Sequence, residues 1–263
     1  MPPRPAWYAW AYFAVIAMAA FGSTFLATVV AGRHSDPSLA WLLKCVLVMV
    51  SVVFLTTVYL RRDGLRWSRY GVSLASHALK RCALGLACGL ALSLAWVAIV
   101  ACWAPFQWQV NPTLRWEAVV TGTLASFAMG IAEEVGYRSY GMERLRQDYG
   151  LIAALTIPTV IFVLAHKAGG VSWLPAVLVV GSSGLLYASL MSMTRSLPLV
   201  AGFHIANNVA QDALLRTSDG SLWMPVFRDM ALAESHGPGI WTCMALLNVS
   251  IAAWAIKHRA HTA

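Results

Sequence analysis

Long apolar stretches without charge restrict the fold of this sequence more than any other feature. Several of them run for roughly 20 residues with almost no charged side chain. A helix of that length, rising about 1.5 Å per residue, crosses a bilayer core of about 30 Å. Only 11% of the 263 residues are charged and 59% are hydrophobic, whereas soluble domains carry about 25% charged residues. The sequence therefore predicts an integral membrane protein.

The apolar stretches predict helices. Inside lipid every backbone polar group must be satisfied within the protein, which leaves helices or a closed barrel. These runs are too long and too continuous for the alternating pattern of barrel strands. We expect an all-α, polytopic transmembrane helix bundle of about eight spans, forming a single membrane domain over residues 1–263. The predicted spans are 7–31, 39–60, 78–103, 116–138, 152–167, 173–194, 198–215 and 238–256.

Lys and Arg residues predict the orientation, because they are concentrated in cytoplasmic loops. Six of the 19 Lys and Arg residues lie in or beside the linker between the second and third spans: Arg61, Arg62, Arg66, Arg69, Lys80 and Arg81. This linker is expected in the cytoplasm, and with eight spans both termini are cytoplasmic too. The predicted location is the cell membrane, as a multi-pass inner or plasma membrane protein.

The net charge of +8 does not indicate a nucleic-acid partner. The cations lie at span ends, and the sequence has no basic helix and no aromatic RNA-binding motif. The five cysteines show no CxxC spacing, so no disulfide framework is expected. The expected surroundings are the lipid bilayer and a membrane-associated substrate.

The first polar motif contains Glu133 and Glu134 near the inner end of the fourth span. Ionisable residues within spans are costly and mark functional sites. Adjacent helical residues point about 100° apart, so the two carboxylates cannot face one partner. Glu134 and Arg138 share a helix face in the favourable acid-first order, which predicts an ion pair. Glu133 is left for chemistry, as a general base in a semi-dry cavity; the alternative is a helix end with solvated charges.

The second motif places His166 in the fifth span. A single histidine on an apolar helix is often a packing residue, but the chain geometry favours a role. Glu133 and His166 each lie about 16 residues from a turn near Gly150. At about 1.5 Å per residue they would reach similar depths on facing helices.

The third motif places His204 and Asn208 on one face of the seventh span, with Asp212 one turn further. Asp212 is not assigned a catalytic role. His204 follows closely after the turn at Pro198, so it is expected to lie near the membrane surface. All three motifs would share the cytoplasmic half of the bilayer if the charged stretch 138–148 is a solvated extension of the fourth span.

Two His, one or two Glu and one Asn inside a membrane suit peptide hydrolysis. A carboxylate and an imidazole can deprotonate a water, and a second imidazole and an amide can stabilise the oxyanion. Alternatively, Glu133, His166 and His204 could bind Zn²⁺ with an open position for water. Two other functions stay open: a membrane transporter with a proton or metal relay, and a non-proteolytic membrane scaffold.

The ordered motifs EExxxR, FxxxH and HxxxN resemble those of the CPBP (Abi) family of intramembrane proteases, which includes the type II CAAX prenyl endopeptidases. The resemblance covers roughly residues 115–215, the motif-bearing core. One position differs: the family commonly has Phe-Arg-Gly where this chain has Tyr137-Arg138-Ser139. The residues that match the family motifs are Glu133, Glu134, Arg138, Phe162, His166, His204 and Asn208.

The resemblance implies an intramembrane endopeptidase that acts on a membrane protein or lipidated peptide. It implies that Glu133 activates water with His166, and that His204 and Asn208 support the oxyanion. Glu134 and Arg138 complete the implied catalytic set. It leaves open whether the enzyme is of the glutamic type or a metalloprotease, and whether its substrate is prenylated.

Overall fold

The computed structural model describes residues 3–32, 36–73, 76–214 and 219–259. Nine α-helices lie in these ranges: α1 (Trp7–Ala31), α2 (Pro37–Arg62), α3 (Ser76–Trp103), α4 (Trp116–Arg138), α5 (Tyr140–Ala168), α6 (Trp173–Pro175), α7 (Ser182–Thr194), α8 (Leu197–Leu214) and α9 (Met230–Arg259). A π-helix (Ala176–Gly181) joins α6 to α7, and a 3₁₀ turn (Trp67–Tyr70) follows α2. Strands β1 (Phe106–Val110) and β2 (Trp223–Phe227) pair antiparallel.

The predicted all-α membrane fold is confirmed. Six helical stretches of the described chain are long and apolar enough to cross a membrane: Trp7–Ala31, Pro37–Arg62, Ser76–Trp103, Trp116–Ala168, Trp173–Thr194 and Met230–His258. One of them contains both α4 and α5, and α8 is not among them. The number of eight spans and the cytoplasmic termini therefore stay predictions.

The prediction of a solvated stretch after the fourth span is wrong. The chain breaks at Ser139 and begins α5 at Tyr140, which then bends at Gly150 (φ 86°). Arg144 is 1% exposed and binds Asp148 and the carbonyl of Arg4. This first part of α5 packs at the ends of α1 and α2 because its buried side chains find polar partners there.

The other predicted span boundaries differ less from those of the structure. The helix α9 begins eight residues before the predicted start at 238, and it contains Pro238. Residue 215, the predicted end of the seventh span, lies outside the described residues. The β1–β2 ribbon was not predicted, because its two strands are more than 100 residues apart in the sequence.

Three glycines bring the backbones of α3 and α8 into contact. A Cβ on Gly85 would lie 2.0 Å from the carbonyl oxygen of Leu199, and one on Gly89 would lie 2.2 Å from that of Phe203. Conversely, a Cβ on Gly202 would lie 2.4 Å from the carbonyl oxygen of Cys82. This close approach fixes the position of α8. It therefore also fixes the position of His204, which follows Phe203.

A buried carboxylate joins the N-terminal ends of α1 and α5 to the C-terminal end of α2. Asp63 accepts hydrogen bonds from Arg4 Nη2 at 2.8 Å and from the Tyr140 hydroxyl at 2.8 Å. Because Tyr140 begins α5 directly after α4, this network also fixes the C-terminal end of α4. The first polar motif lies there.

Candidate active site

The C-terminal end of α4 contains a fully buried ion pair. Arg138 Nη1 lies 3.3 Å from Glu134 Oε1, and both side chains are 0% exposed. The Arg138 guanidinium carbon also lies 4.7 Å from the Phe162 ring centre and 5.6 Å from that of Tyr187. The Tyr137 ring, at 5.3 Å, is the third aromatic ring beside the cation. The ion pair expected from the spacing of four residues is therefore present.

His204 connects both glutamates of the first motif. Its Nδ1 donates to Glu134 Oε1 at 2.7 Å, and its Nε2 lies 3.5 Å from Glu133 Oε2. The histidine is 4% exposed, so these contacts are shielded from solvent. Because carboxylates accept, Glu134 holds the hydrogen of His204 on Nδ1 and fixes the orientation of the ring.

The two glutamates differ in exposure. The side chain of Glu133 is 18% exposed, whereas that of Glu134 is fully buried between Arg138 and His204. A water molecule can therefore reach Glu133 but not Glu134. This difference supports separate tasks for the two carboxylates.

His166 lies in the last turn of α5 and is half-buried. Its Nδ1 lies 3.0 Å from the carbonyl oxygen of Phe162. Since a carbonyl only accepts, Nδ1 carries the hydrogen, and in the neutral imidazole Nε2 is then the acceptor. Among the described residues, no hydrogen bond or ion pair joins His166 to Glu133. Their equal depth was predicted from a turn at Gly150, but the chain already breaks at Ser139.

A cavity of about 320 Å³ brings the second and third motifs together. Its apolar wall comes mainly from α3, α5, α9 and the π-helix. The polar lining consists of His166, Ser183, Tyr187, His204, Asn207, Asn208 and Gln211. Glu133 does not line this cavity, but it contacts the cavity wall through His204.

Asn207 is a buried polar residue that sequence reasoning missed. It is 1% exposed and hydrogen-bonds to Ser93, Tyr187 and Gln211, whereas the predicted Asn208 is half-buried. The sequence contains both asparagines, and only the packing of α8 against α3 and α7 distinguishes them.

The donor arrangement does not fit Zn²⁺. Within the described residues, no group of three or more His, Cys, Asp and Glu side chains could hold a metal ion. The Nδ1 of His204 is bonded to Glu134, and His166 makes no contact with Glu133 that would complete a site with His204. A tetrahedral site needs its ligands about 2 Å from one point, so these side chains would first have to move.

The core of the chain, residues 115–210, matches the family model described as type II CAAX prenyl endopeptidase Rce1-like. The match covers less than half of the chain and supports a similarity of this core to the CPBP family of CAAX proteases. The matched segment contains every residue of the predicted catalytic set. No curated protein and no solved structure matches the chain. This family supports a CAAX-type endopeptidase embedded in a membrane.

Proposed function

We propose that this protein is an intramembrane endopeptidase that hydrolyses a peptide bond of a membrane-associated protein with a glutamate-activated water. The observation that carries the proposal is the position of His204 between Glu133 and Glu134 on the wall of a cavity. Ionisable groups inside an apolar bundle are costly, and this group combines a water-accessible base with an oriented imidazole.

Glu133 acts as the general base. It takes a proton from a water whose oxygen forms a bond to the carbonyl carbon of the substrate, and the carbonyl oxygen becomes an oxyanion. When the tetrahedral intermediate collapses, the carbon–nitrogen bond breaks and Glu133 returns the proton to the leaving nitrogen. The Nε2 lone pair of His166 accepts a hydrogen bond that helps to hold the water.

His204 and Asn208 stabilise the oxyanion. Glu134 fixes the His204 ring through Nδ1, so that a protonated Nε2 can donate to the developing charge. Arg138 pairs with Glu134 and holds its side chain in place. Oriented donors of this type contribute about 2.7–4 kcal/mol each to transition-state stabilisation.

The substrate reaches the site within the membrane or at its cytoplasmic face. Glu133 lies five residues before the end of α4 at Arg138, which is about 8 Å along the helix axis. The charge bias of the loops predicts that this end faces the cytoplasm. The substrate is therefore a membrane protein or a lipidated peptide whose scissile bond lies in the cytoplasmic half of the bilayer.

The test compares the purified chain and Glu133→Gln on a farnesylated CAAX reporter peptide and on its unmodified counterpart. We expect the unaltered chain to cleave at least one reporter and Glu133→Gln to lose about 10³-fold or more in kcat, since it lacks the base. Glu117→Gln is the matched control, because Glu117 is exposed at the other end of α4. The control should retain full cleavage.

Four results would contradict the proposal. Unchanged cleavage by Glu133→Gln would remove the glutamate mechanism. Cleavage that is lost on dialysis against a chelator and restored by Zn²⁺ would replace it with a metal mechanism. Proton or metal flux in liposomes that disappears with Glu133→Gln, without any cleavage, would indicate the transporter alternative, and neither activity would indicate a scaffold.

A further inference from the structure

Tyr187 of α7 is a cavity residue that the motifs do not contain. Its ring stacks on His204, with a centroid distance of 4.6 Å and an interplanar angle of 29°. The side chain lines the same cavity as His166 and Asn208, yet the residue is only 2% exposed. Its hydroxyl therefore lies beside the imidazole in a shielded site, where a hydrogen bond to a charge is strong.

Asn207 determines what the Tyr187 hydroxyl can do. Gln211 Nε2 lies 3.3 Å from the backbone carbonyl of Asn207 and 3.2 Å from its side-chain Oδ1. A backbone carbonyl oxygen can only accept a hydrogen bond, so the Gln211 atom that contacts it is the amide nitrogen Nε2. Because Nε2 donates, the Asn207 side-chain atom beside it must be the acceptor Oδ1. The other Asn207 atom is then Nδ2, which donates to the Tyr187 oxygen at 2.9 Å.

The proton of the Tyr187 hydroxyl is consequently free for a ligand. The oxygen already accepts from Asn207 Nδ2, so the hydroxyl is left to donate. None of the described residues accepts this hydrogen. This hydroxyl is buried on the wall of a cavity, and its hydrogen is available for a hydrogen bond. It is therefore suited to bind an oxygen atom of the substrate.

We propose that Tyr187 is a further catalytic residue, which donates a hydrogen bond to the scissile carbonyl oxygen as it becomes an oxyanion. The proposal rests on the endopeptidase function argued above. Tyr187 adds a neutral donor beside His204, and its role as donor does not depend on the charge of the imidazole. Asn207 acts through Tyr187 and is a positioning residue.

Tyr187→Phe tests the proposal, because phenylalanine keeps the ring that stacks on His204 and removes only the hydroxyl. We expect kcat to fall by about 10²–10³-fold with KM changed less than about twofold, as for the loss of one oxyanion donor. Binding of a phosphinate peptide, whose oxygens resemble the oxyanion, should weaken in parallel. The matched control is Tyr8→Phe, which removes a buried hydroxyl that has no partner among the described residues.

A double-mutant cycle tests the positioning role of Asn207. Asn207→Ala should lower kcat in the otherwise unaltered chain. It should have little further effect on kcat in Tyr187→Phe, because both substitutions remove the same hydrogen bond to the oxyanion. A purely structural role would instead give additive losses and a lowered thermal unfolding temperature.

The outcomes separate this inference from the proposed function. Wild-type kcat and phosphinate affinity in Tyr187→Phe, while Glu133→Gln is inactive, would overturn the role of Tyr187 alone. A large rise in KM at unchanged kcat would also overturn it, since it would indicate ground-state binding. No cleavage of either reporter by the unaltered chain would overturn both proposals.

Discussion

The side chains of the site form a compact arrangement of opposite charges. Glu133 and Glu134 are balanced by Arg138 and, when it is protonated, by His204. Burial of such groups is tolerated only when each is paired, since an unpaired charge in a low-dielectric interior is costly. The pairing therefore supports folding as well as the proposed chemistry.

Replacing Arg138 with methionine is expected to destabilise the protein by about 3–5 kcal/mol, because it leaves Glu134 buried without its cation. Thermal or denaturant unfolding in detergent micelles measures this change. Arg115→Met is the matched control, since Arg115 pairs with the partly exposed Asp36 at 2.8 Å, and Ser38 also donates to Asp36. An exposed pair of this type contributes about 0–1 kcal/mol. Equal losses in the two variants would contradict the buried pairing.

Residue spacing correctly predicted the contact within one helix, but not the contacts between helices. Glu134 and Arg138 are four residues apart, so their shared helix face follows from the helical period. The bond from His204 to Glu134 spans 70 residues and depends on how α4 packs against α8. Tyr187 gave no signal, because an aromatic residue on an apolar helix is usually a packing residue.

At the scale of elements, the contact of α3 with α8 positions His204. Gly89 lies against the backbone of Phe203, the residue before the histidine. Small residues allow two helices in a membrane to approach this closely, and van der Waals contact then holds them together. The site therefore depends on a helix that contributes no motif.

Gly89→Ala is expected to force α3 and α8 apart and so to reduce cleavage at least tenfold, with a loss of stability of about 1–3 kcal/mol for an overpacked interior. Cleavage of the reporter and thermal unfolding measure the two effects. Gly122→Ala in α4 is the control, because nothing lies within 4 Å of a Cβ at that position. Full activity in Gly89→Ala would show that the contact does not position His204.

Helices were the elements that the sequence predicted well, since long uncharged stretches leave few alternatives in lipid. The bend at Gly150 was expected as a turn between spans, but the chain continues as helix on both sides of it. The π-helix Ala176–Gly181 gave no signal. Beside it, the buried Asn248 of α9 donates to Ser182 and Ser183.

At the scale of the whole molecule, the orientation decides which side of the membrane supplies the substrate. The inner ends of α2, α4 and α7 carry many of the basic residues, whereas the β1–β2 ribbon extends from the opposite ends of α3 and α9. The ribbon and the Arg-rich linker are therefore expected on opposite sides. Because Glu133 lies near the inner end of α4, the orientation also assigns the proposed site to one leaflet.

Cysteine labelling tests this orientation. Arg66→Cys and Gln109→Cys place a thiol at exposed positions of the linker and of β1. A membrane-impermeant maleimide added to intact cells should label Gln109→Cys, and it should label Arg66→Cys only after the membrane is permeabilised, because cytoplasmic loops collect the cations. The unaltered chain, with its five cysteines, gives the background. The reverse pattern would place the glutamates in the outer half of the bilayer, and substrates would then have to present the scissile bond from outside.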